Sequence, residues 1–136
     1  MRILITGASG MLGSTFVKKW QENYEGFSTD KKNFTKGPAE NFIPFNLLSE
    51  SYEALVNWAK PNVIIHCAAI TNVDYCEQNP EQAMAVNAES VNKFLKYGRQ
   101  AIRFYVYLPQ NYKSSGSKRY RAALPPVSSS NRMPMR

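Results

Sequence analysis

The chain has 136 residues, enough for one domain with a core of its own. It carries no apolar run near the length of a membrane span and no leader-like opening, so no membrane-spanning helix and no signal peptide are expected. The net charge of +7 is unevenly spread: all ten acids fall in residues 1–89, and ten of the seventeen Lys and Arg fall in residues 90–136.

Ile3 to Thr6 is a short apolar, partly β-branched run, the pattern of a buried strand. Gly7, Gly10 and Gly13 follow at a spacing of three, and then an amphipathic stretch with Leu12, Phe16, Val17 and Trp20 on one face. Strand, glycine turn and helix in this order predict a phosphate-binding turn over Gly7, Ser9, Gly10, Met11, Leu12 and Gly13. The first glycine permits a sharp reversal and the second a close approach of pyrophosphate. The third lets the helix pack against the strand. The N–H groups and dipole of the helix start attract the phosphates.

Tyr24 to Thr29 is a weaker strand. Asp30 comes 17 residues after Gly13, near the distance at which an acid accepts from adenosine ribose hydroxyls. Lys31 and Lys32 follow at once and suit a 2′-phosphate instead, so the choice between NADH and NADPH stays open. Lys31 to Asn41 reads as a loop around Gly37-Pro38. Phe42 to Phe45 is a short strand whose Pro44 predicts an edge position.

Ser49 is the predicted N-cap of a helix with Glu50 and Glu53 in its first turn, and Pro61 ends that helix. Asn62 to Cys67 is a continuous apolar run, expected of a central parallel strand covered on both faces. Small residues follow at Ala68 and Ala69. Asn79-Pro80-Glu81-Gln82 predicts a helix start with a capping box. That helix runs to Gly98 with Met84, Ala88, Val91 and Leu95 as its inner face. Asn87 lies beside that face and is expected to be hydrogen-bonded. Arg103 to Leu108 is the next strand. Residues 109–136 are basic and rich in Ser and Pro, without apolar periodicity, and read as an unordered tail.

The fold class expected is therefore α/β: a doubly wound, Rossmann-type parallel sheet, incomplete, over residues 1–108, with an appended tail over 109–136. The glycine spacing resembles the extended short-chain dehydrogenase/reductase superfamily. The longer series is more specific: Gly7-x-x-Gly10-x-x-Gly13, then Pro61 to Asp74, then Asn79-Pro80-Glu81 through Ala85-Val86-Asn87-Ala88. It resembles the dTDP-4-dehydrorhamnose reductase family. Related chains include a regulatory subunit of methionine adenosyltransferase, so a non-catalytic NAD(P)-binding module is the alternative.

The resemblance implies an oxidoreductase that moves a hydride from NADPH or NADH to a 4-keto nucleotide sugar. It places Asn46 and Leu47 beside the adenine, Ala68 and Ala69 against the nicotinamide-side ribose, and Thr71 near the sugar and nicotinamide. Asn87 resembles the helix Asn that braces the active site. Asp74 and Glu77 resemble family acids near the subunit or substrate side, and read equally as solvated charges. The family's Ser/Thr group and Tyr-x-x-x-Lys pair find no match: none of the eight Tyr has Lys four residues later. No catalytic residue is assigned, and the chain is expected to be inactive alone.

Cys67 and Cys76 lack metal-site spacing, so no metal is expected, and a reduced, cytoplasmic protein is the simplest reading. The basic tail lacks an aromatic platform, so no specific nucleic-acid partner is expected. An incomplete sheet exposes an edge and an apolar face, which predicts self-association. One account of the tail is a shifted reading frame. Val106-Tyr107-Leu108-Pro109, encoded GTA-TAT-CTA-CCN, reads Ile-Ser-Thr in another frame, the triplet the family shows at this strand end. The nucleotide sequence checks this: an alternative frame downstream of residue 105 is expected to restore a Tyr-x-x-x-Lys pair, and its absence refutes the account.

Overall fold

The computed structural model describes residues 1–20, 24–32, 39–98 and 104–107; the basic tail and part of the Lys31–Asn41 loop lie outside the described residues. The strands are β1 (Arg2–Thr6), β2 (Glu25–Asp30), β3 (Phe42–Pro44), β4 (Val63–His66) and β5 (Phe104–Tyr107). The helices are α1 (Met11–Trp20), α2 (Tyr52–Ala59), α3 (Val73–Gln78), α4 (Pro80–Met84) and α5 (Ser90–Gly98), with a π turn at Ala85–Glu89 joining the last two. The strands form one sheet in the order β3-β2-β1-β4-β5. Every pair is parallel, with Ile5 opposite Ser28 on one side and Ile65 on the other.

The period-two alternation of β1 divides the core between the two faces of the sheet. Ile3 and Ile5 pack with Ile65, Ala8 and Val17 on the α1 side. Leu4 and Ile64 pack with Phe27, Phe45 and Phe94 and with Tyr52, Leu55 and Val56 of α2 on the other. Apolar side chains on both faces explain why β4 reads as an unbroken apolar run. Pro44 sits in edge strand β3, where its missing N–H breaks no ladder.

The structure corrects several sequence expectations. The N-cap of α2 is Ser51, whose hydroxyl accepts from Ala54 N–H at 3.2 Å, and not Ser49. The shift arises because Asn46 builds a turn of its own: its side-chain oxygen accepts from Leu48 N–H, and its carbonyl accepts from Glu50 N–H. The capping box at Asn79 does not form. Asn79 donates to the Tyr75 carbonyl, and Gln82 accepts from the Tyr75 hydroxyl. The segment before it is helical as α3, started by Asn72, which accepts from Tyr75 N–H at 2.8 Å.

The inner face after Pro80 is also different. Ser90, Phe94 and Gly98 are buried, while Met84 is 41% exposed and Ala88 is exposed. The π turn inserts one residue into the helical repeat and so rotates α5 relative to α4. At the mouth of α1, Leu12 stays largely exposed, whereas Val17 is buried.

The buried polar centre joins β1, β4 and α5. Thr6, His66 and Ser90 are each at most 1% exposed. Ser90 Oγ donates to the Val86 carbonyl at 2.6 Å and therefore accepts from His66 Nε2–H at 2.9 Å. His66 Nδ1 in turn accepts from the Thr6 hydroxyl at 2.6 Å. The Phe94 ring and the imidazole meet at a steep angle, with centroids 5.2 Å apart. Burial pushes the His66 pKa down to about 4 from its ordinary 6.5.

A lowered histidine pKa means that the unfolded chain binds the proton more readily. Stability is therefore complete above pH 6.5 and is expected to fall by about 3 kcal/mol as the pH drops from 6.5 to 4, levelling below that. Urea denaturation at pH 7.5, 6 and 4.5 checks this, and the pH slope is expected to shrink in His66→Asn.

Candidate functional site

The site lies at the C-terminal ends of β1, β2 and β4. Strand order reverses direction at β1, with β2 and β3 to one side and β4 and β5 to the other. Such a switch point opens a crevice between the loops that leave neighbouring strands. Three of the predicted groups meet here: the glycine turn, Asp30 at the end of β2, and the Ala68–Ala69 stretch beyond β4.

The three glycines serve different needs. Gly7 has φ +70°, and a Cβ there would lie 2.6 Å from the Ala68 nitrogen. A Cβ on Gly13 would lie 2.2 Å from the Gly7 carbonyl oxygen, so α1 can rest on the turn only without one. Gly10 is the least constrained, with the Gly7 oxygen 3.2 Å away as its sole close neighbour. It is also exposed. The fold itself uses the first and third glycines, and the middle one opens a backbone surface to solvent. A pyrophosphate fits this cradle.

The helix start completes the cradle. The first turn of α1 carries no acid, so nothing on the helix offsets its positive end. Ser14 N–H makes the bond to the Gly10 carbonyl at 2.9 Å, and the N–H groups of Met11, Leu12 and Gly13 precede that bond. Met11 is 91% exposed and Leu12 44% exposed, which places both at the rim.

Asp30 is tied into the same turn. Its Oδ2 accepts from Ser9 N–H at 2.9 Å and from the Ser9 hydroxyl at 2.8 Å. Ala8 N–H donates to the Thr29 carbonyl at 3.2 Å, a second link between turn and β2. The carboxylate expected at the adenosine ribose thus braces the glycine turn. Lys32 stands behind it, its N–H 3.4 Å from Asp30 Oδ1.

Asn46 and Leu47 lie just past β3. The Asn46 side-chain oxygen is bonded to Leu48 N–H, so an adenine amino group would share that oxygen with the turn. Leu47 packs against the core.

On the other wall, Asn87 meets the expectation of a paired side chain. Its oxygen accepts from Ile70 N–H at 2.8 Å, and its amide donates to the Ile70 carbonyl at 3.0 Å. Both bonds hold the loop that carries Ala68 and Ala69. Thr71, Asp74 and Glu77 are exposed, and Thr71 continues that loop toward solvent. Cys67 is half-buried, and burial pushes its thiol up to about 11, which keeps it protonated and a poor nucleophile. No cluster of His, Cys, Asp or Glu among the described residues could hold a metal ion. No helix among them is long and apolar enough to cross a membrane.

Sequence reasoning missed His66. It sits inside an apolar run, and its signal was the single polar residue at the end of a buried strand.

Known proteins resemble the chain in this region. A family model for the RmlD substrate binding domain matches residues 1–121. Methionine adenosyltransferase 2 subunit beta of Xenopus laevis is 34% identical over 122 residues, covering 85% of this chain and 34% of that protein. A hypothetical dTDP-4-dehydrorhamnose reductase from Sulfolobus tokodaii superposes with a TM-score of 0.63 at 32% identity, over 75% of this chain and 37% of that one. The dTDP-4-dehydrorhamnose reductase from Bacillus anthracis, in complex with NADP, gives 0.62 at 27% identity, over 76% and 34%. The chain spans about a third of the length of these relatives.

The glycine geometry makes a direct prediction. Gly13→Ala is expected to cost about 3 kcal/mol or more, because backbone meets backbone, whereas Gly10→Ala is expected to cost about 1 kcal/mol or less. Thermal melting of the two variants checks the order.

Proposed function

The chain belongs to the RmlD substrate binding domain family, and from that membership we propose that it supplies the dinucleotide-binding part of an NAD(P)H-dependent nucleotide-sugar reductase. The observation that carries the proposal is the glycine turn at the β1–β4 switch point, open at Gly10 and braced by Asp30. Residues 1–108 form the binding part, and residues 109–136 are an appended basic tail. The nearby structure that holds NADP is a dTDP-4-dehydrorhamnose reductase.

In a complete reductase the nicotinamide, when bound, would supply the hydride. The chain's own residues bind and orient. The N–H groups of Met11, Leu12 and Gly13 and the positive end of α1 hold the pyrophosphate. Asp30 meets the adenosine ribose, Asn46 and Leu47 flank the adenine, and Ala68 and Ala69 form the wall beside the second ribose. Thr71 stands at the mouth toward the sugar, and Asn87 holds that wall through Ile70. The 136 residues contain no Tyr-x-x-x-Lys pair to protonate a carbonyl oxygen. In this reading these residues bind the dinucleotide and leave protonation of the carbonyl to groups they do not contain. Its two free cysteines accord with a cytoplasmic setting.

A second reading draws on the 34% identity to a methionine adenosyltransferase subunit. In this reading the same site of the chain serves a non-catalytic, NAD(P)-binding regulatory module rather than a reductase. Co-purification with a methionine adenosyltransferase catalytic subunit favours this reading.

Fluorescence titration of the purified chain with NADH and NADPH tests the proposal. Saturable binding is expected with at least one of them. Gly10→Asp is expected to abolish it, since a carboxylate then faces the phosphates. Asp30→Ser is expected to raise the ratio of NADPH to NADH affinity by about tenfold, because it removes a charge that repels a 2′-phosphate. Absence of binding by the folded wild-type chain overturns the proposal. Sedimentation of the same sample reads the self-association expected of an uncovered sheet; a single sharp monomer boundary refutes it.

A further inference from the structure

Thr6 and His66 are register partners at the very end of the β1–β4 pair. Past them, Cys67 N–H still donates to the Thr6 carbonyl at 3.1 Å. Then the two chains part: β1 enters the left-handed Gly7, and β4 enters Ala68, packed against it. The bond from the Thr6 hydroxyl to His66 Nδ1 is the cross-strand side-chain tie at this parting point.

The π turn anchors that tie from behind. Ser90 N–H bonds the Ala85 carbonyl, five residues back, and the Ser90 hydroxyl reaches the Val86 carbonyl instead. Fixed in this way, Ser90 Oγ is oriented to accept from His66 Nε2–H. Three residues earlier, Asn87 holds Ile70 at the far end of the same loop. The imidazole is thus gripped at both nitrogens, with the glycine turn one residue beyond Thr6.

We infer that His66 is a positioning residue for the glycine turn: through Nδ1 it holds Thr6 and so fixes the cradle that Gly7 begins, whereas its bond to Ser90 selects the tautomer in which Nδ1 accepts. What the cradle binds rests on the dinucleotide reading above; the positioning itself does not.

The two bonds can be separated. Asn at position 66 can reproduce the Nδ1 contact to Thr6 and loses the Ser90 contact, whereas Gln reproduces the Nε2 contact and loses Thr6. Amide hydrogen exchange of the free chain reads the turn directly, because Ala8 and Gly10 N–H are bonded to Thr29 and Gly7 carbonyls. His66→Gln and Thr6→Val are expected to speed exchange at Ala8 and Gly10 about tenfold relative to amides inside β4, while His66→Asn and Thr6→Ser stay within about threefold of wild type. Dissociation constants for NADH or NADPH are expected to rise in the same two variants only.

Equal acceleration in His66→Asn and His66→Gln, or wild-type exchange in Thr6→Val, overturns the inference. Should His66→Gln fail to fold, the Thr6→Val and Thr6→Ser pair decides alone. If the wild-type chain binds neither dinucleotide, that refutes the dinucleotide reading, and the exchange data still decide the role of His66.

Discussion

The structure depends on one close contact, the passage of Gly7 beside Ala68 beneath the start of α1. Three backbones converge there with no room for a side chain: a Cβ on Gly7 or on Gly13 would fall within 2.8 Å of its neighbours' main chain. Residues with a Cβ would push β1, β4 and α1 apart. Because the contact lies at the ends of the two central strands, the crevice for a ligand and the packing of the sheet are set by the same atoms.

Behind that contact stands a small polar core within an apolar one. Buried hydroxyl and imidazole groups are costly unless each finds a partner. Thr6, His66, Ser90 and the Val86 carbonyl satisfy one another in sequence. The direction of the hydrogens follows from the final acceptor, because a carbonyl can only accept. The chain of bonds selects one imidazole tautomer, and with it one orientation of β1 relative to α5. Apolar side chains alone would fill the same volume without choosing.

Much of this architecture was legible in the sequence because the signals are local. The spacing of Gly7, Gly10 and Gly13, the apolar run of β4 and the proline in β3 each state a requirement that a few neighbouring residues fulfil. The pairing of Asn87 was legible from its place at the edge of an apolar stripe. The phase of α5 was not. An added residue in a helix leaves no mark in composition, and the rotation that buries Phe94 follows from contacts with β4 and α2, far away in sequence. Helix α3 was missed although Asn72 carries a normal cap, because a short helix adds little periodicity. His66 was hidden by its apolar neighbours, and the role of Asp30 as a strut of the turn left no local signal.

The two edges of the sheet are unlike. Strand β3 is three residues long and ends in Pro44, so it offers a poor template for another strand. Among the described residues the opposite edge is β5, paired along its four residues with β4. Among the described residues β3 is therefore the poorer of the two outer strands for further pairing. A strand approaching from outside thus meets two unequal sides, one blunted by a proline and one without.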